Sequence, residues 1–287
     1  MLISNTFDIL FGTFTMRPYV FAFFGAYLLV CVPHIGWRRT LIFTGVGYLI
    51  AFASEWLSIN TGFPYGWYYY IDSTSHKELW VAGVPFFDSL SYVFLAYCSY
   101  GTALFILSPL KAWRWNLVAL ESRNIRRSWA ALLLGSLLQT FLDIVIDPVA
   151  LQGRNWFLGQ IYGYNKNGIH FGVPLSNYAG WFLTSICLVG AFQLIDARQL
   201  AAPPRGVCNI PFHTLLAPLL YLSILIFNIG MAFWIKEPFM GLSSILIYVL
   251  PVVMAAILAL QRVNRYSTGE LAEHLRDYPW SAAKELK

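Results

Sequence analysis

Charge is what this chain has least of. Only 11% of its 287 residues are Asp, Glu, Lys or Arg, while 58% are hydrophobic. A soluble domain carries about 25% charged residues, so this chain has too few to cover a water-facing surface. Cysteine is scarce as well. The four, Cys31, Cys98, Cys187 and Cys208, stand singly with no CxxC pair, which excludes a zinc knuckle and a redox dithiol. Three of them fall in apolar runs, as small packing residues. No long apolar run contains Lys, so no retinal Schiff base can form. There is no HxxxH or HxxHH box, which removes the membrane di-iron hydroxylases and desaturases, and no Gly-rich phosphate loop or dinucleotide fingerprint. No basic segment leads into a small-residue cleavage site, so no cleavable signal peptide is expected.

What the chain has instead is long apolar stretches, at about 18–35, 41–59, 86–108, 129–149, 173–195, 212–235 and 240–260. Each approaches the ~20 residues a helix needs to cross the hydrocarbon core. They are continuously apolar and do not alternate, which favours helices over a barrel. The expected fold is all-α: a polytopic integral membrane bundle of about seven transmembrane helices. Residues 1–17 form an interfacial segment, 18–262 the membrane domain and 263–287 a tail. Assigning loops alternately to two sides divides the 19 Lys and Arg as 14 against 5. The positive-inside rule makes the 14-charge side cytoplasmic, with the N-terminus outside and the C-terminus inside. The net charge of +5 follows from this bias and implies no nucleic-acid partner. The basic loop at 109–128, with Trp113, Trp115 and Trp129, reads as an anchor on anionic lipid. In the tail, Ser267 and Glu270 have capping-box spacing for a short amphipathic helix.

The two long loops of the other side, about 60–85 and 150–172, are rich in Gly and aromatics. Each closes on the same tripeptide, Gly83-Val84-Pro85 and Gly172-Val173-Pro174, and three residues after each Pro stands a polar residue, Asp88 or Asn177. Each loop follows a span with an acidic end: Glu55 before the first, Asp143 and Asp147 before the second. An acidic helix end, an aromatic loop, Gly-Val-Pro and a polar helix start thus occur twice in one orientation, a candidate parallel internal repeat.

An ionisable side chain at bilayer depth costs roughly 2.5–3.5 kcal/mol for Asp on insertion scales and marks a functional site by default. Alternation of the spans puts Glu55, Asp88, Asp143, Asp147 and Asn177 in one leaflet. Asp143 and Asp147 are one turn apart on one helix face, and Gln139 extends that stripe. Two carboxyl groups so placed in low dielectric do not readily both carry charge, and a proton donor beside a proton acceptor is what general acid–base chemistry uses. Structural alternatives stand beside this reading. Asp88 could cap its helix, Asp147 could end one before Pro148, Glu55 could bond Ser54 or Asn60, and Asn177 could bridge helices. The five His are spread over both sides and make no metal site; only His170 is placed to join the cluster.

These segments resemble a known family. Glu55, then Thr61-Gly62-Phe63-Pro64-Tyr65-Gly66-Trp67-Tyr68-Tyr69, Gly83-Val84-Pro85, Asp143-Ile144-Val145-Ile146-Asp147-Pro148-Val149 and Phe171 to Phe182 look like the membrane carotenoid-biosynthesis proteins. The similarity covers about residues 40–200. Characterised members are carotenoid 1,2-hydratases acting on γ-carotene or bisanhydrobacterioruberin end groups. The resemblance implies an enzyme of the cell membrane that adds water to the terminal double bond of an acyclic carotenoid end. Carotenoid, water and membrane lipid are then its partners, with no cofactor and no metal. Asp143 or Asp147 is expected to be the acid, with the other of that pair or Glu55 positioning water. Asp88, Asn177, Tyr65, Trp67, Tyr68, Tyr69, Trp156 and His170 are expected to contact substrate, the aromatic faces stabilising a tertiary cation. A prenyltransferase holding Mg²⁺–diphosphate on paired Asp, and a non-enzymatic carotenoid-binding or transport protein, are the alternatives.

Overall fold

With no water to satisfy a backbone in hydrocarbon, each apolar run closes its own hydrogen bonds as a helix. The computed structural model describes residues 2–113, 115–198, 211–279 and 281–284; Cys208, Arg114, Arg205 and Lys287 fall outside them. Helix α1 (Leu2–Met16) is followed by α2 (Pro18–Ile35) and α3 (Trp37–Thr61). The first long loop holds strands β1 (Tyr68–Tyr70), β2 (Trp80–Val81) and β3 (Val84–Pro85). Next come α4 (Phe86–Leu107), the hairpin β4 (Leu110–Trp113) and β5 (Asn116–Ala119), α5 (Arg123–Arg126) and α6 (Trp129–Leu151). The second long loop carries β6 (Tyr162–Tyr164), before α7 (Leu175–Arg198), α8 (Leu216–Trp234), α9 (Pro238–Gln261) and α10 (Thr268–Asp277). Seven of these helices are long and apolar enough to cross a membrane. The protein is an integral membrane helix bundle, as its apolar runs predict.

Helix α4 is the axis of the bundle. Its apolar window is 78% buried, against 17% for α9, which lies at the periphery with its Leu, Ile and Val side chains outward. Helices α6 and α7 flank α4, and Gly135 of α6 lets Tyr100 of α4 and Val189 of α7 close in on it.

The repeated tripeptide has a repeated backbone. Ala82-Gly83 and Phe171-Gly172 all take positive φ, between 45° and 92°. The next valines, Val84 and Val173, are fully buried. Each copy turns the chain sharply into α4 or α7, and the two loops then pair with each other. Strands β1 and β6 run antiparallel, with Tyr68 opposite Tyr164, Tyr69 opposite Gly163 and Tyr70 opposite Tyr162. Arg17 is sealed at this end, its Nη2 2.9 Å from Glu78 Oε1, and it also donates to the Leu158 carbonyl.

The opposite end corrects one expectation and sharpens another. The loop at 109–128 is not simply a basic lipid anchor. Arg126 is buried, donating from Nε to Asp196 and from Nη2 to Asp277, both at 3.0 Å, and Lys111 Nζ donates to the Ala283 carbonyl. These bonds clamp α10, which starts with the capping box expected of Ser267 and Glu270. The histidines do divide between the two ends, but three of the five converge here. His34 lies 3.0 Å from Glu121 Oε2, its ring centre is 5.5 Å from that of His213, and His274 Nδ1 is 3.1 Å from the Glu121 carbonyl. Sequence distance hid that convergence. No group of three or more His, Cys, Asp or Glu is set to hold a metal among the described residues.

Candidate active site

Glu55, Asp88, Asp143, Asp147 and Asn177 meet under the paired loops, at the end of the bundle away from α10. Helices α4 and α7 enter the bundle from this end, while α3 and α6 finish there. Asp88 near the start of α4 therefore stands level with Asp147 near the end of α6. Asn177, in the same place on α7, donates from Nδ2 to Asp143 Oδ2 at 3.0 Å and to Asp147 Oδ2 at 2.6 Å. The structural alternatives for two of these residues fall away. No side chain caps α4, and α6 runs on through Pro148 to Leu151. Glu55 bonds across helices, accepting from Ser89 Oγ at 2.6 Å. Asn177 does bridge helices, and does so through the two carboxyl groups.

Alternation along β1 and β6 decides which loop aromatics reach this cluster. Tyr68, Tyr70, Tyr162 and Tyr164 point inward. Tyr70 donates to Asp88 Oδ2 at 2.7 Å, Tyr162 to Asp147 Oδ1 at 2.7 Å and Tyr164 to Asp147 Oδ2 at 2.9 Å. Burial first, and then the adjacent carboxyl groups, push all three phenols well above their usual range, so they stay protonated donors. Tyr69 faces the other way and is 49% exposed, as is Trp67 at 56%; neither lines the site. Tyr65 is buried, sharing a hydrogen bond with Ser54 and donating to Thr184. His170 does not reach the carboxylates. Burial lowers its basicity, and its Nδ1 lies 2.5 Å from the Tyr178 hydroxyl.

Two adjoining spaces result. A polar pocket is walled by Glu55, Asp88, Asp147, Asn177 and the inward tyrosines, together with Tyr92 and Trp181. Beside it an apolar cleft opens between α2, α4, α6 and α8, lined by Phe23, Phe94, Leu95, Ile146, Trp156, Phe227 and their neighbours. Asp88, Asp147, Tyr162 and Trp181 line both spaces. The Trp181 indole stacks on Tyr92, with centroids 4.1 Å apart and planes 2° from parallel. Asp143 lines neither space; it is buried one turn behind Asp147, bonded by Asn177 through Oδ2, its Oδ1 without a partner among the described residues. Among the described residues, no Lys or Arg lines the polar pocket.

Sequence reasoning missed Tyr70, Tyr92, Tyr162, Tyr164, Ser89 and Trp181. Three of them carried a signal in Tyr68-x-Tyr70 and Tyr162-x-Tyr164, the same spacing in both loops. Such an arrangement can seat a long apolar molecule in the cleft and present its end to paired carboxyl groups under a tyrosine roof. The model of the carotenoid biosynthesis protein family matches residues 4–260. A bisanhydrobacterioruberin hydratase of Haloarcula japonica is 30% identical over 215 residues, which cover 74% of this chain and 61% of the relative, less than two thirds of its length. No solved structure matches.

Proposed function

The chain belongs to the carotenoid biosynthesis protein family, and from that premise we propose that it is a carotenoid hydratase. It adds water across the terminal C1=C2 double bond of an acyclic end group. One observation carries the reading: the apolar cleft ends on four residues, Asp88, Asp147, Tyr162 and Trp181, that also wall the polar pocket. A polyene lying in the cleft has its last double bond at that junction. Hydration needs a proton at C2 and water at the tertiary cation left on C1. Carboxyl groups supply the first and orient the second. The face of Trp181, held flat by Tyr92, stabilises the cation between them. No cofactor enters this scheme. In this reading the pocket opens to the non-cytoplasmic side, which the charge bias of the loops supports.

Expression in a host that makes acyclic carotenoids tests this. The product gains the mass of one water per end group processed. Unmodified pigment that stays bound after long incubation would instead favour a carrier. A strict Mg²⁺ requirement would favour the prenyltransferase reading, which a polar pocket without Lys or Arg does not support.

A further inference from the structure

The two carboxyl groups at the junction have unlike bonding. Asp147 receives three donors, from Tyr162, Tyr164 and Asn177. A carboxyl group ringed by N–H and O–H donors is bonded as an anion, an acceptor with no donor role left to play. Asp143, one turn back on the same helix, accepts from the same Asn177 amide. Asp88 receives one donor, Tyr70, on Oδ2 alone. Among the described residues nothing bonds its Oδ1, and the residue lines the apolar cleft. Oδ1 is therefore the oxygen left to carry an acid proton for an alkene lying in that cleft. Glu55, the next carboxyl group along the same wall, is tied to Ser89.

Resting on the hydratase reading, we propose that the acid and base are divided between helices: Asp88 of α4 protonates C2, and Asp147 of α6 deprotonates the water that attacks C1. This takes the acid role from the Asp143–Asp147 pair. Asp143 becomes a positioning residue, holding in place the Asn177 amide that donates to Asp147. The step balances. The Asp88 O–H bond breaks and a C2–H bond forms, leaving the cation on C1. Water forms the C1–O bond and gives its second proton to Asp147. That proton returns to Asp88 through the water of the pocket, and the substrate gains one H₂O.

Isotope exchange separates the two roles. In D₂O an enzyme that keeps its acid but lacks its base adds D to C2, then removes H or D from the same carbon, so recovered alkene gains deuterium without being hydrated. Asp147→Asn is expected to exchange C2 at least ~10-fold faster than Asp88→Asn. Both should hydrate at about a hundredth of the wild-type rate or less, in line with the ~10²–10⁴-fold worth of a positioned acid or base. Retention of bound polyene shows that each variant is folded. Exchange as fast in Asp88→Asn as in Asp147→Asn, or exchange in neither while polyene stays bound, overturns the division. Failure of the wild type to hydrate would instead overturn the hydratase reading itself.

Discussion

Tyr70 and Tyr162 face each other across the β1–β6 ladder, yet their hydroxyls go to different carboxyl groups, Tyr70 to Asp88 and Tyr162 to Asp147. One strand pair therefore sets the separation of the two acidic groups at the cleft. Removing either hydroxyl leaves the ladder and the ring packing in place and frees one carboxyl group. A hydrogen bond to such a group contributes roughly 1.5–3 kcal/mol. Tyr70→Phe and Tyr162→Phe should each slow hydration by about 10- to 100-fold, read as the rate of appearance of the product heavier by one water. Tyr69→Phe, on the outward side of the same strand, should leave the rate within about twofold.

The cleft makes a separate prediction. Ala150 lies on its wall, between the carboxylate end of α6 and the aromatic cluster around Trp156. Ala150→Phe would fill space the polyene needs and leave the tyrosine roof intact. Less pigment should co-purify with this variant, and its KM should rise by an order of magnitude or more while the melting temperature changes little.

How much of this was legible in the sequence depended on which force set each feature. The spans could be read because bilayer burial demands an uninterrupted apolar run, and the helix ends fall within a few residues of those runs. The five polar residues could be grouped because alternation of spans alone puts them in one leaflet. The ranking within the group could not be read. Asp143 and Asp147 look equivalent as one-turn neighbours, but small differences in helix rotation and depth put only Asp147 at the cleft. Trp67 and Tyr69 belong to the same aromatic run as Tyr68 and Tyr70, and only the pairing with β6, about ninety residues away, fixes which face turns inward. Trp181 lies inside an apolar helix, where an aromatic residue carries no signal.

Gly180 marks where the first loop presses on α7. A β-carbon there would come within 2.7 Å of the Pro64 backbone and 2.6 Å of the Tyr65 ring. Backbone cannot swing aside as a flexible side chain can. Overpacking of this kind costs about 1–3 kcal/mol. Gly180→Ala should lower the melting temperature by several degrees in detergent and reduce activity with it, since Tyr65 walls the polar pocket. Gly190→Ala, on the same helix with its nearest neighbour 3.9 Å away, is the control that should do neither.

Stability should also depend on acid at the far end of the molecule. Burial alone would raise Glu121, but His34, then Arg126 and His274, outweigh it and bring its pKa down from the usual 4.5 to about 2. A carboxylate that is more acidic folded than unfolded stabilises fully above the unfolded value, and its contribution fades as pH falls toward the folded one. The window therefore runs from about 4.5 down to about 2. The melting temperature of the wild type should drop steeply across it. Glu121→Gln should be less stable at neutral pH, by on the order of 3 kcal/mol, and should show a flatter acid limb.

The remaining prediction concerns which side of the membrane the active-site mouth faces. The polar pocket and both aromatic loops lie at one end of the bundle; Arg126, the basic hairpin loop and α10 lie at the other. The 14-to-5 division of Lys and Arg predicts that the pocket faces away from the cytoplasm. Arg17 adds little to the minority count, because its charge is buried against Glu78 and is not free to act on the bilayer surface. Ser73, in the first loop, and Asn124, beside Arg126, are both exposed and so can report the two ends. With all four native cysteines replaced, Ser73→Cys should react with a membrane-impermeant maleimide in intact cells, or in spheroplasts where an outer membrane intervenes. Asn124→Cys should react only after lysis. The opposite pattern would turn the mouth toward the cytoplasm, so that the hydrating water enters from there. The grouping of Asp88, Asp147 and Asn177 would survive that reversal, since it depends only on helices entering and leaving the bundle at the same end.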